Sequence, residues 1–396
     1  MKKLLVVSLL LALPLFAQSD EAFVAWAKSR MVPVDQFREL DPAIQRAKLI
    51  GVGESVHDTE EFFAFRLQLL QDLVRRHRVT ALVLESGLPE AMALNDYVRG
   101  RTSTIDYDAA LPGGYGSLEA IHKTMEWLRA WNLGDGRARP VGVYGADFSN
   151  RSGSMVPSLD RLLALTVSDD VVKRLVESIR PIAVQTSAGW WKGAADKYAA
   201  LSPETKGALT RDIGLLAERV QHRYQGDATN VATLLQQNEA ALRLGMFEPT
   251  APRDIALADN TLRVVRGLGD DERAVYWAHN AHVQKVPIHG KPLPPGTFIG
   301  SGLRFDVVLG DAYVAIATSY GGPARDDSSA PADGSVDAAL EKVSTKPFLL
   351  VLKDGPAWLS RERTMRFQTG YLDVILGDAF DAVAYFNRAT AAKHQL

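Results

Sequence analysis

Four times along this chain a run of apolar, β-type residues ends directly in ionisable groups, and that pattern restricts the fold more than any other feature. Leu49-Ile50-Gly51-Val52-Gly53 runs into Glu54 and, after Ser55 and Val56, His57. Ala81-Leu82-Val83-Leu84 runs into Glu85, and Val141-Gly142-Val143-Tyr144-Gly145-Ala146 runs into Asp147. Ala274-Val275-Tyr276-Trp277 runs into Ala278-His279-Asn280-Ala281-His282-Val283. Short apolar runs with polar stops fit strands of a parallel sheet covered on both faces. Such sheets place their chemistry just beyond the strands' carboxyl ends. If the four runs are parallel neighbours, their polar ends converge on one crevice of hydrolase-like composition.

The segment Asp58-Thr59-Glu60-Glu61 has the form of a helix start, a capping side chain followed by acids that favour the positive end of the dipole. The spacing predicts a helix to about Arg76 that buries Phe62, Phe63, Leu67, Leu70 and Val74, and its basic finish suits a C-terminus. Leu49–Gly53, this helix and Ala81–Glu85 then form one βαβ unit with a right-handed crossover. Further strands are expected at Tyr313–Ser319, Phe348–Leu352 and Ala382–Phe386. Between Asn150 and Phe247 the β-type pattern gives way to amphipathic helical stretches, at Leu159–Leu165, Val171–Ile179 and Ile213–Leu244. The expected fold is therefore α/β: a central, mostly parallel sheet flanked by helices, with a helical cap over about 150–247 at its carboxyl edge. Trp190 and Trp191 in this cap are either core or an apolar wall for substrate. Leu111–Ser117 and Arg325–Ser335, rich in Gly, Pro, Ser and Asp, are candidate rim segments.

The chain opens with Met1-Lys2-Lys3, an apolar stretch from Leu4 to Phe16, and Ala17-Gln18-Ser19. A short basic region, an apolar run too short to span a bilayer and small residues at its end are expected of a secretory signal peptide over 1–19. Cleavage is expected after Ser19 or after Ala17. This leaves one catalytic domain over 20–396, periplasmic or secreted and free of the membrane. Cysteine is absent, which removes disulfides, thiolate nucleophiles and thiolate metal ligands. The formal net charge of −2 and the lack of a polybasic block argue against nucleic acid or an anionic membrane surface as partner.

His57 precedes a helix, where the dipole disfavours an added positive charge, so a neutral imidazole there would accept a proton from water. Glu54 or Glu85 would orient it, as a carboxylate orients the base of a triad; the plainer reading makes His57 a turn cap. Ser55 lacks the second glycine of a nucleophile elbow, so its hydroxyl is expected to bond to the turn. His279 and His282 share a face only if the chain turns helical after Trp277. With Glu54, Glu85 and His57 they would also be enough ligands for zinc, although H-x-x-H lacks the glutamate of H-E-x-x-H. Arg66, inside the helix among apolar neighbours, needs a carboxylate partner. Arg253 is either a solvated first-turn residue or an oxyanion stabiliser.

Taken together, these residues resemble the erythromycin esterase family. The resemblance rests on Gly53-Glu54-Ser55-Val56-His57 with Arg66, Leu84-Glu85-Ser86-Gly87, Leu94-Asn95-Asp96-Tyr97-Val98, Gly145-Ala146-Asp147, Arg253-Asp254 with Asp259-Asn260, and Trp277-Ala278-His279-Asn280-Ala281-His282-Val283. It extends from about Leu49 to Phe386. Asp58 departs from it, since the family often has glycine or another small residue there. The resemblance implies hydrolysis of a carboxylic ester or macrolactone by activated water, without a cofactor or acyl-enzyme. His57 would be the base, with Glu54, Glu85, Arg66, His279 and His282 completing the active site. Arg253, Asp147, Trp190 and Trp191 are expected at the substrate or oxyanion. A metal-dependent hydrolase using the same side chains, and a non-catalytic envelope binding protein on the same fold, are the alternatives.

Overall fold

Six consecutive buried residues, Leu49–Glu54, form the strand that organises the first half of the fold. Both its faces are covered, which is why its sequence is continuously apolar instead of alternating. The structure, a computed structural model, describes residues 19–111, 114–148, 154–189, 191–244, 252–289, 299–322, 330–368 and 370–395. Its described strands are β1 Val32–Pro33, β2 Leu49–Glu54, β3 Val79–Gly87, β4 Gly142–Asp147 and β5 Arg273–His279. They continue as β6 Tyr313–Tyr320, β7 Phe348–Val351, β8 Glu362–Phe367, β9 Gly370–Ile375 and β10 Ala382–Phe386.

The chain divides into two units, the residues through Val79 with Asp270–His394, and Thr80–Gly269. In the first unit the strand order is β1-β7-β10-β6-β2-β5. β10, β6, β2 and β5 run parallel, while β7 and β1 are added antiparallel at the edge. The neighbours of β2 are β5 and β6, so the next strand in sequence is not hydrogen-bonded to it. β5, from much later in the chain, takes the place beside β2, with Glu54 in register with His279. Sequence order alone cannot reveal such an insertion.

The helix Glu60–Arg76 has the expected bounds. Phe62, Phe63, Leu70 and Val74 are buried with Phe65, Leu69 and Leu73, whereas Leu67 is only partly buried. Each fully buried Leu or Phe contributes roughly 1.5–3 kcal/mol. The helix start differs from expectation: Thr59 occupies the cap, but its hydroxyl donates back to the Val56 and His57 carbonyls and not to the helix, and Asp58 lies in the left-handed region at φ 55°. That is the conformation glycine adopts most readily and aspartate tolerates. The antiparallel β8–β9 hairpin was not anticipated, because its alternation is weak.

In the second unit β3 and β4 pair in parallel, but three steps along β3, from Leu84 to Gly87, match two along β4, from Gly145 to Asp147. The extra residue is a bulge at Glu85-Ser86, of the kind that re-aims side chains at strand ends. Gly145 permits it, since a Cβ there would collide with the Ser86 and Gly87 carbonyls. The stretch expected to be helical is so, as Val156–Leu165, Asp170–Thr186, Trp191–Ala199, Pro203–Arg223 and Asp227–Leu244. These helices share a core that includes Leu159, Val176, Ile213 and Leu235. The α/β class, with mostly parallel strands flanked by helices, is as expected. The leader through residue 18, Trp190 and parts of both rim segments lie outside the described residues.

Candidate active site

Glu54 ends β2 with its carboxylate buried, and burial by itself would push its pKa up. The Arg66 charge, followed by the charge and hydrogen bond of His57, outweighs that and holds Glu54 below its ordinary value. The contacts are short: Glu54 Oε1 to His57 Nδ1 is 2.6 Å, and Arg66 Nη1 donates to Glu54 Oε2 at 3.0 Å. Arg66 is itself buried on the inner face of its helix. Its Nη2 donates to the carbonyls of Val52 at 2.9 Å and Ala278 at 2.5 Å, and its guanidinium stands 5.7 Å from the Trp277 ring centroid. The helix thus locks the ends of β2 and β5 to one cation. A carboxylate accepts only, so the Nδ1 that faces it carries the proton and Nε2 is the basic nitrogen.

His279 ends β5, and the chain then makes the one-turn helix Asn280–Val283. Ala281 N–H donates to His279 Nδ1 at 3.2 Å, and Nε2 stands 2.9 Å from the Ser55 carbonyl. An Nδ1 that accepts and a carbonyl that can only accept place the ring proton on Nε2. His279 is therefore a neutral imidazole that caps the helical turn and holds Ser55, edge-on to His57 at 5.3 Å between ring centroids. His282 is buried on that turn, and its carbonyl accepts from Ser301 Oγ at 2.7 Å. The helical turn on which a shared face of His279 and His282 depends begins at Asn280, with His279 at its cap.

Several residues that position this cluster were not identified beforehand. Asn280 clamps β6, donating to the Thr318 carbonyl at 2.8 Å and accepting from its N–H at 3.2 Å. Gly53 must lack a side chain because a Cβ would collide with Asn280 Oδ1. Gln368, in the turn after β8, donates its N–H to the Ser55 carbonyl at 2.8 Å. Phe367 meets the His279 ring edge-on at 4.5 Å. Asn280 stands inside the histidine motif, but nothing local marks Phe367 or Gln368. The Ser55 hydroxyl does not bond to its turn as expected: among the described residues it has no partner, and the backbone of Ser55 makes the contacts instead.

In the second unit a cluster forms at the ends of β3 and β4. Arg253 Nη2 donates to Glu85 at 2.8 Å and to Asp147 Oδ2 at 2.5 Å, and its Nε donates to Asp147 Oδ2 at 2.9 Å. Phe148 N–H donates to Asp147 Oδ1 at 2.8 Å. Burial opposes the charge of Arg253, but Asp147 and Glu85 raise its pKa well above the ordinary value. The solvated first-turn reading of Arg253 is thus overturned. The cation is instead paired with two carboxylates. Of the two readings of Trp191 the structure shows the core: it is 4 % exposed, its ring centroid lies 5.2 Å from that of Phe148, and it belongs to the helical core. Among the described residues no group of three or more His, Cys, Asp or Glu has the arrangement of a metal site.

A family profile described as erythromycin esterase matches residues 74–389. The chain belongs to the erythromycin esterase family. The match begins downstream of Glu54, His57 and Arg66. The chain is 22% identical over 420 residues to an erythromycin esterase type II of Escherichia coli, covering 94% of this chain and 99% of that protein. It is 25% identical over 395 residues to an erythromycin esterase type I of Escherichia coli, covering 88% and 92%. A solved structure of a mutant of the erythromycin esterase EreC, in its open conformation, superposes with a TM-score of 0.74 at 19% identity, covering 92% and 98%. At that identity this family likeness establishes the fold.

Proposed function

We propose that this protein hydrolyses a carboxylic ester or macrolactone with water activated by His57. The observation that carries the reading is the contact of the buried, Arg66-anchored Glu54 with Nδ1 of His57, whose side chain is 25% exposed. That arrangement keeps the proton on Nδ1 and presents Nε2 as the base. His57 removes a proton from water as the water oxygen bonds to the ester carbonyl carbon. The tetrahedral intermediate then expels the alkoxide, which takes the proton from the imidazolium, giving acid and alcohol. Glu54 stabilises the imidazolium, and Arg66 keeps Glu54 ionised. We assign the oxyanion contact to His282, on the helical turn after β5. The names of the Escherichia coli relatives make erythromycin the first substrate to test.

Purified protein should convert a macrolide or a simple ester to acid and alcohol, read by mass spectrometry. In ¹⁸O-water a single turnover should put label in the acid and leave the protein mass unchanged. A trapped ester on Ser55 would replace this mechanism with an acyl-enzyme.

The same reading takes the first residues as an export leader and places the enzyme in the periplasm or outside the cell. Ser19 caps the helix Asp20–Arg30 by accepting from Ala22 N–H at 3.2 Å. Cleavage after Ala17 retains that cap, whereas cleavage after Ser19 sets an ammonium against the positive end of the dipole. N-terminal sequencing of exported protein should therefore begin at Gln18.

A further inference from the structure

The second unit contains a cavity of about 210 Å³ among the helix Leu88–Val98, β4 and the helices Asp227–Leu244 and Pro252–Arg266. At about 30 Å³ per water it holds roughly seven waters, the space of one ring with a substituent. It is smaller than the 300–1,000 Å³ common for drug-sized ligands. Its lining combines the apolar Leu88, Met92, Val264 and Leu268 with the polar Asn95, Asn230 and Arg263. Asn95 and Asn260 fall in motif stretches that the candidate active site leaves unused.

Arg263 is half-buried, and among the described residues no carboxylate lies within ion-pair distance of it. Among the described residues its hydrogen bond runs from Nη1 to Asn260 Oδ1 at 2.8 Å. Burial lowers its pKa, although the charge of Asp259 opposes this. Asn95 Oδ1 is occupied, accepting from Val143 N–H at 3.1 Å and Arg99 Nε at 3.1 Å. The Asn95 amide NH₂ has no partner among the described residues. The polar lining is thus rich in donors, and the one acid among the described lining residues, Asp227, is exposed.

We propose that this cavity binds a small organic carboxylate with an apolar body. The anion sits on Arg263 and the Asn95 amide, and the hydrocarbon lies against Leu88, Met92 and Val264. A cation would oppose Arg263, a neutral ligand would leave it uncompensated, and inorganic phosphate would leave the apolar lining unfilled. The site is independent of the ester reading. Its Asn260 bond also connects it to β4, because Asn260 Nδ2 donates to the Ala146 carbonyl at 2.8 Å, one residue before Asp147.

Benzoate titrated into the full chain, followed by calorimetry and saturation-transfer NMR, tests this. Binding should be saturable, benzyl alcohol should bind more weakly, and Arg263→Gln should weaken benzoate about ten- to a hundredfold, the worth of a hydrogen bond to a charged group. Leu268→Trp fills the cavity from a loop without altering the charge and should abolish binding; it decides alone if Arg263→Gln does not melt cooperatively. Absence of saturable benzoate binding, or binding undiminished in the cooperatively melting variants, overturns the proposal.

Discussion

Glu54 lies between His57, at 2.6 Å from one carboxylate oxygen, and Arg66, at 3.0 Å from the other. The base is thereby tied to a buried cation through a single side chain. His57 sits in the turn before the helix, Arg66 two turns further on, and Glu54 at the strand end joins them. The orientation of the imidazole is consequently a property of the packed sheet and helix together.

Replacing His57 by Gln should leave a cooperatively melting protein, because this side chain is partly exposed. Ester turnover should fall on the order of 10²–10⁴-fold, the usual contribution of a general base. Steady-state kinetics beside a thermal melt checks both; wild-type kcat/KM in a folded variant would remove His57 from the mechanism.

Glu54→Gln should damage stability as well as rate, since it leaves Arg66 buried without its anion, a loss of about 3–5 kcal/mol for a broken buried pair. Because the folded pKa of Glu54 is depressed, its contribution is present above the unfolded carboxyl value of about 4.3 and is lost as pH falls through the folded pKa. The gap in melting temperature between wild type and variant should be constant near neutrality and narrow below about pH 4. A gap that widens in acid would contradict the depressed pKa.

Arg253→Met leaves Glu85 and Asp147 facing each other without a cation. We expect a loss of about 3–5 kcal/mol, seen in urea unfolding at neutral pH and smaller in acid, where the carboxylates take up protons. Equal stability of wild type and variant at pH 7 would show that the cluster is solvated.

Trp191→Ala should cost about 3–5 kcal/mol, as other large-to-small aromatic changes in cores do. Kinetic constants of the folded fraction should be unchanged. An altered KM with an unchanged melting temperature would return Trp191 to the substrate wall.

Much of this was legible locally. Apolar runs ending in Glu54, Glu85, Asp147 and His279 marked strands whose ends carry polar groups, and the spacing of Phe62, Phe63, Leu70 and Val74 gave the helix that bears Arg66. Leu67 went astray because a helix face is selected by what packs against it, and periodicity leaves a residue at the stripe's margin undecided. Asp58 followed the same rule: its side chain suggested a cap, while the turn required a left-handed backbone.

The sequence by itself determined the α/β class, the strand ends and the residue types available to the chemistry, because hydrophobic periodicity and capping act over a few residues. Only the tertiary structure decided that β5 lies beside β2, with Glu54 opposite His279, and that Glu54 holds His57. It also decided that Arg253 is neutralised by two acids and that Trp191 is core. Those outcomes depend on pairing between segments far apart in the chain, where strand neighbours, buried charge and close packing are settled by the whole fold and leave no local mark.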